Sequence, residues 1–516
     1  MKNFNSLLLL IILSLFGCQD YFDLERPPQN QWTTVEEFER VPIALYASVY
    51  GGDNWNIPYV NYSLFKTSAG DDVAWVKDAS WGYWRNTSEH NQWSKRNFNL
   101  LYRTIGAAND ALSFVEDHDG NPYPDASPED IANDFNRILG EIYFMRGMAY
   151  YYLQTTFGHA YQPGGGNNNP DIPLRTEYPS SLEEARNPKI GTTEEIFTFI
   201  LEDFKKAAEL LPEQYIDGLH HPSYIVRANK FAAISMIMKT QFLRGEYTEA
   251  LQAANIIIDE NKGVYDLSED PIEAFNKSGL DRGREVIFYL PFYDNTLSTP
   301  HHLSVLNHTY ENNTMCNWSE TRMSITAIRA LNWMDNPKND TTINQTAWRD
   351  KRFTQLMAVR YPKSLAKPGQ QFDSRGEIQN ETTIWPFKFY RGPGLFNTNV
   401  PLIRLAEIYL TRSILRFNKG DLAGAAQDFN MVRKRAWDES VAGPYEEISA
   451  GNLTAEMIHN ERLIEMFNEA DRVEYLRALK MDIPNGDRGA GSEPYTSDAF
   501  IWAIPVDEKI YNENLN

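Results

Sequence analysis

Apolar residues recur at alternating intervals of three and four along Phe135, Ile138, Ile142, Met145, Ala149 and Tyr152, a spacing that aligns them on one face of an α-helix. A strand, whose faces alternate every second residue, cannot use that pattern, so the chain around it is committed to helix packing. Gly158 is placed to stop this helix. Asn97 to Val115 reads as its antiparallel partner, across a loop from Asp117 to Ser127 rich in Asp, Gly and Pro. Thr192 to Leu211 supplies another helix, with Ile196, Ile200, Phe204, Ala207 and Leu211 in register.

Two further stretches share a local pattern. In Leu243 to Ala250 and in Asn418 to Ala425, a glycine (Gly245, Gly420) is followed two residues on by Tyr247 or Leu422 and five on by Ala250 or Ala425, ahead of another periodic helix. The pattern resembles the turn of a tetratricopeptide repeat, in which glycine ends one helix and small alanines let the next approach closely. The copies lie too far apart for a tandem array, so helical hairpins interrupted by insertions are expected. Between about 262 and 399 the periodicity breaks down and Trp, Tyr, Asn, Pro and Gly accumulate, with short apolar runs such as Glu285 to Leu290 reading as strands. The expected fold class is mainly α: tetratricopeptide-like helical hairpins forming a scaffold, with a large irregular loop-rich insertion carrying a few short strands. The organisation follows as a segment 18–40, a helical region 41–261 with an aromatic loop at 54–93, an irregular ligand-binding region 262–398, further tetratricopeptide-like helices 399–482, and a tail 483–516.

The first 17 residues read as an export signal. Lys2 supplies the positive charge, and the apolar run Ser6 to Gly17 is well short of the roughly 20 residues a membrane-spanning helix needs. Leu15-Phe16-Gly17-Cys18 resembles a bacterial lipobox, which implies cleavage before Cys18 and lipid on its thiol and new amino terminus. An ordinary signal peptide followed by a chance cysteine is the competing reading. The only other cysteine is Cys316, so with Cys18 lipidated no internal disulfide forms and the fold rests on its core alone. Asp20, Asp23 and Glu25 follow the anchor, either as a surface-export signal of the kind found in Bacteroides-group lipoproteins or as a solvated tether. The formal net charge of −21 opposes phosphate binding and excludes nucleic acid as a partner.

Catalytic signatures are missing from the sequence. No His-Glu-x-x-His, Gly-x-Ser-x-Gly or Gly-x-x-x-x-Gly-Lys occurs, and Gly164 to Gly166 has no following Lys. His301, His302 and His308 cluster in sequence without carboxylate help. Asp117, Asp119, Asn121 and Asp125 alternate like calcium ligands, but Gly120 comes too early for an EF-hand loop and a turn is the better reading. No cofactor is implied, with calcium the one weak alternative. Two carboxylates suffice for glycoside hydrolysis, so composition alone does not exclude that chemistry. The remaining function is recognition: sugar C–H faces pack on flat aromatic rings while Asn, Asp and Arg bind the hydroxyls. Trp75, Trp81, Tyr83 and Trp84 form the densest aromatic cluster, and Tyr310, Trp318 and Trp333 lie in the central irregular region. The competing reading plugs these rings into the core.

Taken in order, four blocks resemble the SusD/RagB family of outer-membrane nutrient-binding lipoproteins. They are Phe144 to Leu153 with Phe157-Gly158 and Asp171 to Leu174; Val400 to Leu410 with Asn430 to Ala436; Ile458 to Arg472; and Trp502 to Pro505 with Glu508 and Asn512. The chain departs from the pattern at the loop Gly164 to Asn169, at Asn468 and Ala470, and at Ala503. Arg146, Arg404, Arg433, Glu461, Arg462 and Arg472 within these blocks sit on apolar-periodic helices, where a charge is tolerated only when paired; they read as buried ion pairs locking helices together.

The resemblance implies a cell-surface lipoprotein of the outer membrane, held by lipid only, that binds an oligosaccharide and delivers it to a TonB-dependent SusC-like transporter, with its ligand platform in the central irregular region. It weighs against enzymatic activity. Peptide capture, as in RagB-like members, and a helical scaffold without a ligand are the alternatives. Each buried methylene contributes about 0.8 kcal/mol to anchoring. Replacing Cys18 with Ala is therefore expected to move the protein from the membrane fraction to the soluble one; retention in washed membranes lacking its transporter would overturn the lipoprotein reading.

Overall fold

The computed structural model describes residues 32–50, 58–75, 85–293, 310–311, 314–315, 321–368, 370, 380–389 and 398–515. Helix dominates. α1 (Arg40–Tyr50) and α2 (Pro58–Ala69) lead into α3 (Gln92–Glu116). Asn91 Oδ1 starts α3 by accepting the backbone N–H groups of Trp93 and Ser94, each at 3.0 Å, which satisfies two donors that a helix end leaves open. α4 (Asn136–Phe157) is buried along nearly its whole circumference, so neighbours must cover it on all sides. α3 lies against it, as does α5 (Thr193–Leu210), which opens on a capping box between Thr192 and Glu195.

α6 (Lys230–Arg244) and α7 (Tyr247–Asp259) form one expected hairpin, and α8 (Leu405–Asn418) with α9 (Leu422–Ala436) forms the other. Gly245 and Gly420 take φ of 78° and 85° at the two turns, a left-handed conformation that glycine adopts without steric cost. In space α5 packs on α6, and α7 packs on α8. The two hairpins are therefore neighbours, and α3 to α9 make one continuous row of packed helices. α10 (Ala455–Glu465) packs on α8, and α11 (Arg472–Ala478) on α6 and α2.

The strands are short, and six of them sit where the irregular segment meets this row: β1 (Val73–Trp75), β2 (Val286–Leu290), β3 (Thr321–Met323), β4 (Met357–Arg360), β5 (Thr383–Pro386) and β6 (Val400–Arg404). β2 and β6 pair antiparallel, Leu290 opposite Val400 and Val286 opposite Arg404. The insertion thus leaves and rejoins the helices through one ladder, fully buried along β2. β4 pairs with β5, and a second apolar cluster gathers Val73, Met323, Ile328, Trp333, Phe353, Ile384 and Phe467. Distinct from the main helical core, it joins the insertion to α10 and the residues after it.

The arginines of the four blocks are paired. Arg146 forks onto Asp203 at 2.9 and 2.7 Å and reaches Asn109 at 2.8 Å, tying α4 to α5 and α3. Arg462 forks onto Asp471 at 2.8 and 2.6 Å and donates to Thr411 at 2.7 Å. Gly164 to Gly166 all have positive φ in a loop, and the following Pro170–Pro173 pairs with Ile190–Thr192. At the other end of the chain, Trp502 is 4% exposed, its ring 4.5 Å from Phe65 and its backbone N–H on Thr156 O at 2.9 Å.

A Cβ at Gly245 would meet Pro163 Cγ at 2.7 Å, whereas one at Gly420 meets nothing within 4 Å. Gly420→Ala is therefore expected to cost only the left-handed backbone, about 1–2 kcal/mol, and Gly245→Ala at least about 1 kcal/mol more through overpacking. Urea unfolding of the two variants checks this, and equal losses would mean that the first turn moves aside without cost.

Candidate functional site

β1 and β3 form a two-stranded antiparallel ladder, with Val73 opposite Met323, Ala74 opposite Arg322 and Trp75 opposite Thr321. The pairing has a consequence for the aromatic residues. Residue 76 follows Trp75 and residue 320 precedes Thr321, so the segments carrying Trp81, Tyr83 and Trp84 and carrying Trp318 both attach to the same end of this ladder. Tyr310–Glu311 pairs with Thr314–Met315 a few residues upstream. Trp81, Tyr83, Trp84, Trp318 and Cys18 themselves lie outside the described residues, as do His301, His302 and His308.

The ladder is gripped from several directions. Asp71, just before β1, forks onto Arg472 of α11 at 2.7 and 3.0 Å. Ser324, just after β3, donates its N–H to Asp72 O at 2.8 Å and its hydroxyl to Asp71 O at 2.7 Å. Arg322 reaches Glu381 beside β5 at 3.2 Å. From the C-terminal region Asp487 Oδ2 accepts Ile325 N–H at 2.9 Å, and Arg488 donates to Gly70 O at 2.6 Å. Charge-assisted bonds from helix and tail thus hold the base of the aromatic segments in one position.

Of the aromatics singled out from the sequence, Trp333 has a different place. It is 1% exposed, with its ring 4.9 Å from Phe353 and nearly perpendicular to it, in the second apolar cluster. So little of the ring is exposed that Trp333 packs mainly as a core residue, although it also borders the cleft described below. Tyr59 and Tyr62, in the same aromatic-rich stretch as Trp81, are likewise buried on α2, with Tyr62 stacked 4.0 Å from Tyr152. The loop after α3 is a turn: Asp119 and Gly120 have φ of 52° and 83°, and Asn121 Oδ1 accepts Tyr123 N–H at 3.1 Å. Among the described residues no group of three or more His, Cys, Asp or Glu side chains has metal-holding geometry.

Sequence reasoning missed a cleft. A cleft of about 530 Å³ opens between the insertion and α9 and α10, with Trp437, Tyr445, Arg349, Arg433, Asn460 and Glu461 in its lining. The only sequence signal for it is a Trp and a Tyr eight residues apart across Gly443-Pro444, a dipeptide that bends the chain between them.

A scan against family models matches residues 20–241 to a family described as starch-binding and associating with the outer membrane, and residues 284–478 to the SusD family. The chain belongs to the SusD/RagB family. Among solved structures it is similar to a SusD superfamily protein from Bacteroides thetaiotaomicron, at 18% identity over 93% of this chain and 98% of that one with a TM-score of 0.70. A SusD superfamily protein from Bacteroides fragilis matches at 19% identity over 94% and 100% with a TM-score of 0.70. A SusD-like carbohydrate binding protein from Bacteroides fragilis matches at 18% over 94% and 99% with a TM-score of 0.65. These likenesses establish the fold, mainly helical with small sheets. No curated protein matches the chain. SusD-family proteins associate with the outer membrane, and among the described residues no helix is long and apolar enough to cross a membrane.

Asp72 marks the base of the ladder electrostatically. It is 4% exposed and its Oδ1 has no hydrogen-bond partner. Burial foremost, and then the neighbouring Asp71, push its carboxyl up to about 7 against the pull of Arg472. The folded protein therefore holds a proton that the unfolded chain releases near pH 4, and this group's contribution to stability falls as pH rises from about 4 to about 7. Asp72→Asn is expected to leave stability nearly unchanged at about pH 4 and to raise it relative to the parent by on the order of 1–4 kcal/mol at about pH 8. A stability difference independent of pH across that window would show that Asp72 ionises normally.

Proposed function

We propose that this protein is a lipid-anchored, cell-surface binding protein of the outer membrane that captures an oligosaccharide and passes it to a TonB-dependent SusC-like transporter, catalysing no reaction itself. The observation that carries the reading is the β1–β3 ladder, which attaches two aromatic-rich segments to one firmly held point. Sugar rings offer C–H faces to Trp and Tyr and hydroxyls to the Asn, Asp and Arg around them, and such a site gains affinity when its loops stand on a rigid base. Trp75, Trp81, Tyr83, Trp84, Tyr310 and Trp318 are the residues proposed to meet the ligand. A relative of the same fold described as carbohydrate binding supports the ligand class, and the family description supports the membrane association.

A glycan array probed with residues 19–516 names the ligand. With that ligand, Trp81→Ala, Trp84→Ala and Trp318→Ala are each expected to weaken binding roughly 5- to 150-fold, as removal of a stacking platform worth about 1–3 kcal/mol does, while the unfolding midpoint stays in place. Arg404→Ala should do the reverse. Unchanged affinity per folded molecule in all three Trp variants would remove the ladder site.

A tethered binder moves nothing across a membrane alone, so the reading requires a transporter beside it. Crosslinking in native membranes is expected to recover a large TonB-dependent barrel, through an interface above about 1,000 Å². Recovery of this chain alone would replace delivery with free-standing capture.

A further inference from the structure

The cleft of about 530 Å³ is separate from the β1–β3 ladder, though both border the second apolar cluster, the ladder through Val73 and Met323 and the cleft through Trp333 and Ile464, and its chemistry is specific. Trp437 and Tyr445 stand 5.8 Å apart with their planes at 63°, two walls of a corner. Both are fixed by their polar ends. The Trp437 indole N–H donates to Gly443 O at 2.9 Å, and the Tyr445 hydroxyl donates to Asn430 Oδ1 at 2.6 Å. The volume accommodates a sugar ring or two, and two locked aromatic planes suit the C–H faces of such a ring.

The charges in the lining divide into committed and uncommitted groups. Arg433 lies 5.7 Å from the Trp437 ring but is bound to Asp350 at 2.9 Å and Glu461 at 3.3 Å. Glu461 is in turn paired with Arg352 at 2.7 Å. Arg349 differs. Its backbone is fastened beside Trp437, the carbonyl accepting Asp438 N–H at 2.9 Å, yet its buried Nε has no hydrogen-bond partner. Among the described residues no carboxylate pairs with it.

A guanidinium without a carboxylate partner in the wall of a cleft sets what should fill that cleft. Its Nε is already shut off from water, and a neutral sugar covering the cleft strips water from the remaining N–H donors without replacing it by charge, which is costly. A carboxylate on the ring takes the fork with charge-assisted bonds. The net charge of −21 gives an anion no general attraction, so recognition here has to be local. Exposed Glu446 at the rim adds a repulsion that the Arg349 contact must exceed.

We propose that this cleft is a second ligand site, selective for a carboxylate-bearing sugar ring of the uronic-acid class, with Arg349 as the carboxylate receptor and Trp437 and Tyr445 as the stacking walls. The assignment rests on the carbohydrate-binding reading above for its choice of a sugar, but not on the ladder site.

The test is calorimetric titration of residues 19–516 with D-glucuronate, D-glucose and benzoate. Glucuronate is expected to bind at least tenfold more tightly than either of the others, because only it carries both the ring faces and the anion. Arg349→Gln should abolish that preference, and Arg349→Lys should retain part of it. Glu446→Gln changes an exposed side chain, so folding is not at stake. It should tighten glucuronate a few-fold at low salt and leave glucose alone. Equal affinity for glucuronate and glucose, no glucuronate binding at all, or glucuronate affinity unmoved by both the Arg349 and the Glu446 changes would overturn the proposal. If Trp81→Ala abolishes glucuronate binding and Arg349→Gln does not, the cleft proposal falls and the ladder site stands. The opposite pattern upholds the cleft and leaves the ladder to be decided by its own ligand and its own Trp variants.

Discussion

A buried lattice of carboxylates and guanidinium groups holds the insertion on the helical row. Arg404, at the end of β6, binds Glu465 of α10, Glu285 before β2 at 3.1 Å and Glu469 at 2.8 Å. Arg435 of α9 shares Glu465 and meets Glu285 at 2.5 Å. From the insertion, Arg352 reaches Glu465 at 2.9 Å and Asp350 at 2.8 Å, and Lys388 pairs with Glu469. Although burial pushes the carboxyl of Glu465 up, Arg435, Arg404 and Arg352 together hold it well below the usual carboxylate range. With Arg433 and Glu461, opposite charges balance across the lattice. That balance is what makes burial tolerable, since losing one member leaves an uncompensated charge in low dielectric, typically worth 3–5 kcal/mol.

The position of the lattice explains the shape of everything attached to it. The chain leaves one helical hairpin for the insertion through β2 and returns to the next through β6, and a helix row interrupted in sequence for so long must be rejoined by contacts that tolerate one register only. Apolar packing accepts many small shifts. A fork of paired charges does not, because moving it by a fraction of a residue separates every pair at once. The same logic recurs at the ladder, where Arg472 and Arg488 reach out of the C-terminal region to fix the strand base.

Both proposed ligand positions lie at the junction between insertion and scaffold. The ladder joins a strand preceding α3 to one from the insertion, while the cleft has Arg349 from the insertion on one side and Trp437 and Glu461 on the other. A rigid helical row with recognition groups placed at its irregular junctions is a division of labour that lets ligand specificity change without disturbing the core. The Arg433 and Glu461 side chains serve both purposes, closing the lattice on one side and lining the cleft on the other.

What the sequence determined by itself was the helical part. Periods of three and four located α4 and α5 within a residue or so at their ends, Gly245 and Gly420 marked the turns, and charged residues on apolar faces announced buried pairs. Those signals are local, written in residues a few positions apart. The family blocks were legible for the same reason. Tertiary structure alone decided three other things. It brought the hairpins at 230–259 and 405–436 into contact across the insertion; it separated the aromatics, sending Trp333, Tyr59 and Tyr62 into cores; and it assembled a cleft around Arg349 from segments about a hundred residues apart. Composition enriches a stretch in Trp and Tyr whether the rings face ligand or core, because both roles reward a large apolar plane. Which role each ring takes depends on what packs over it, and that is settled by long-range contacts that no local pattern records.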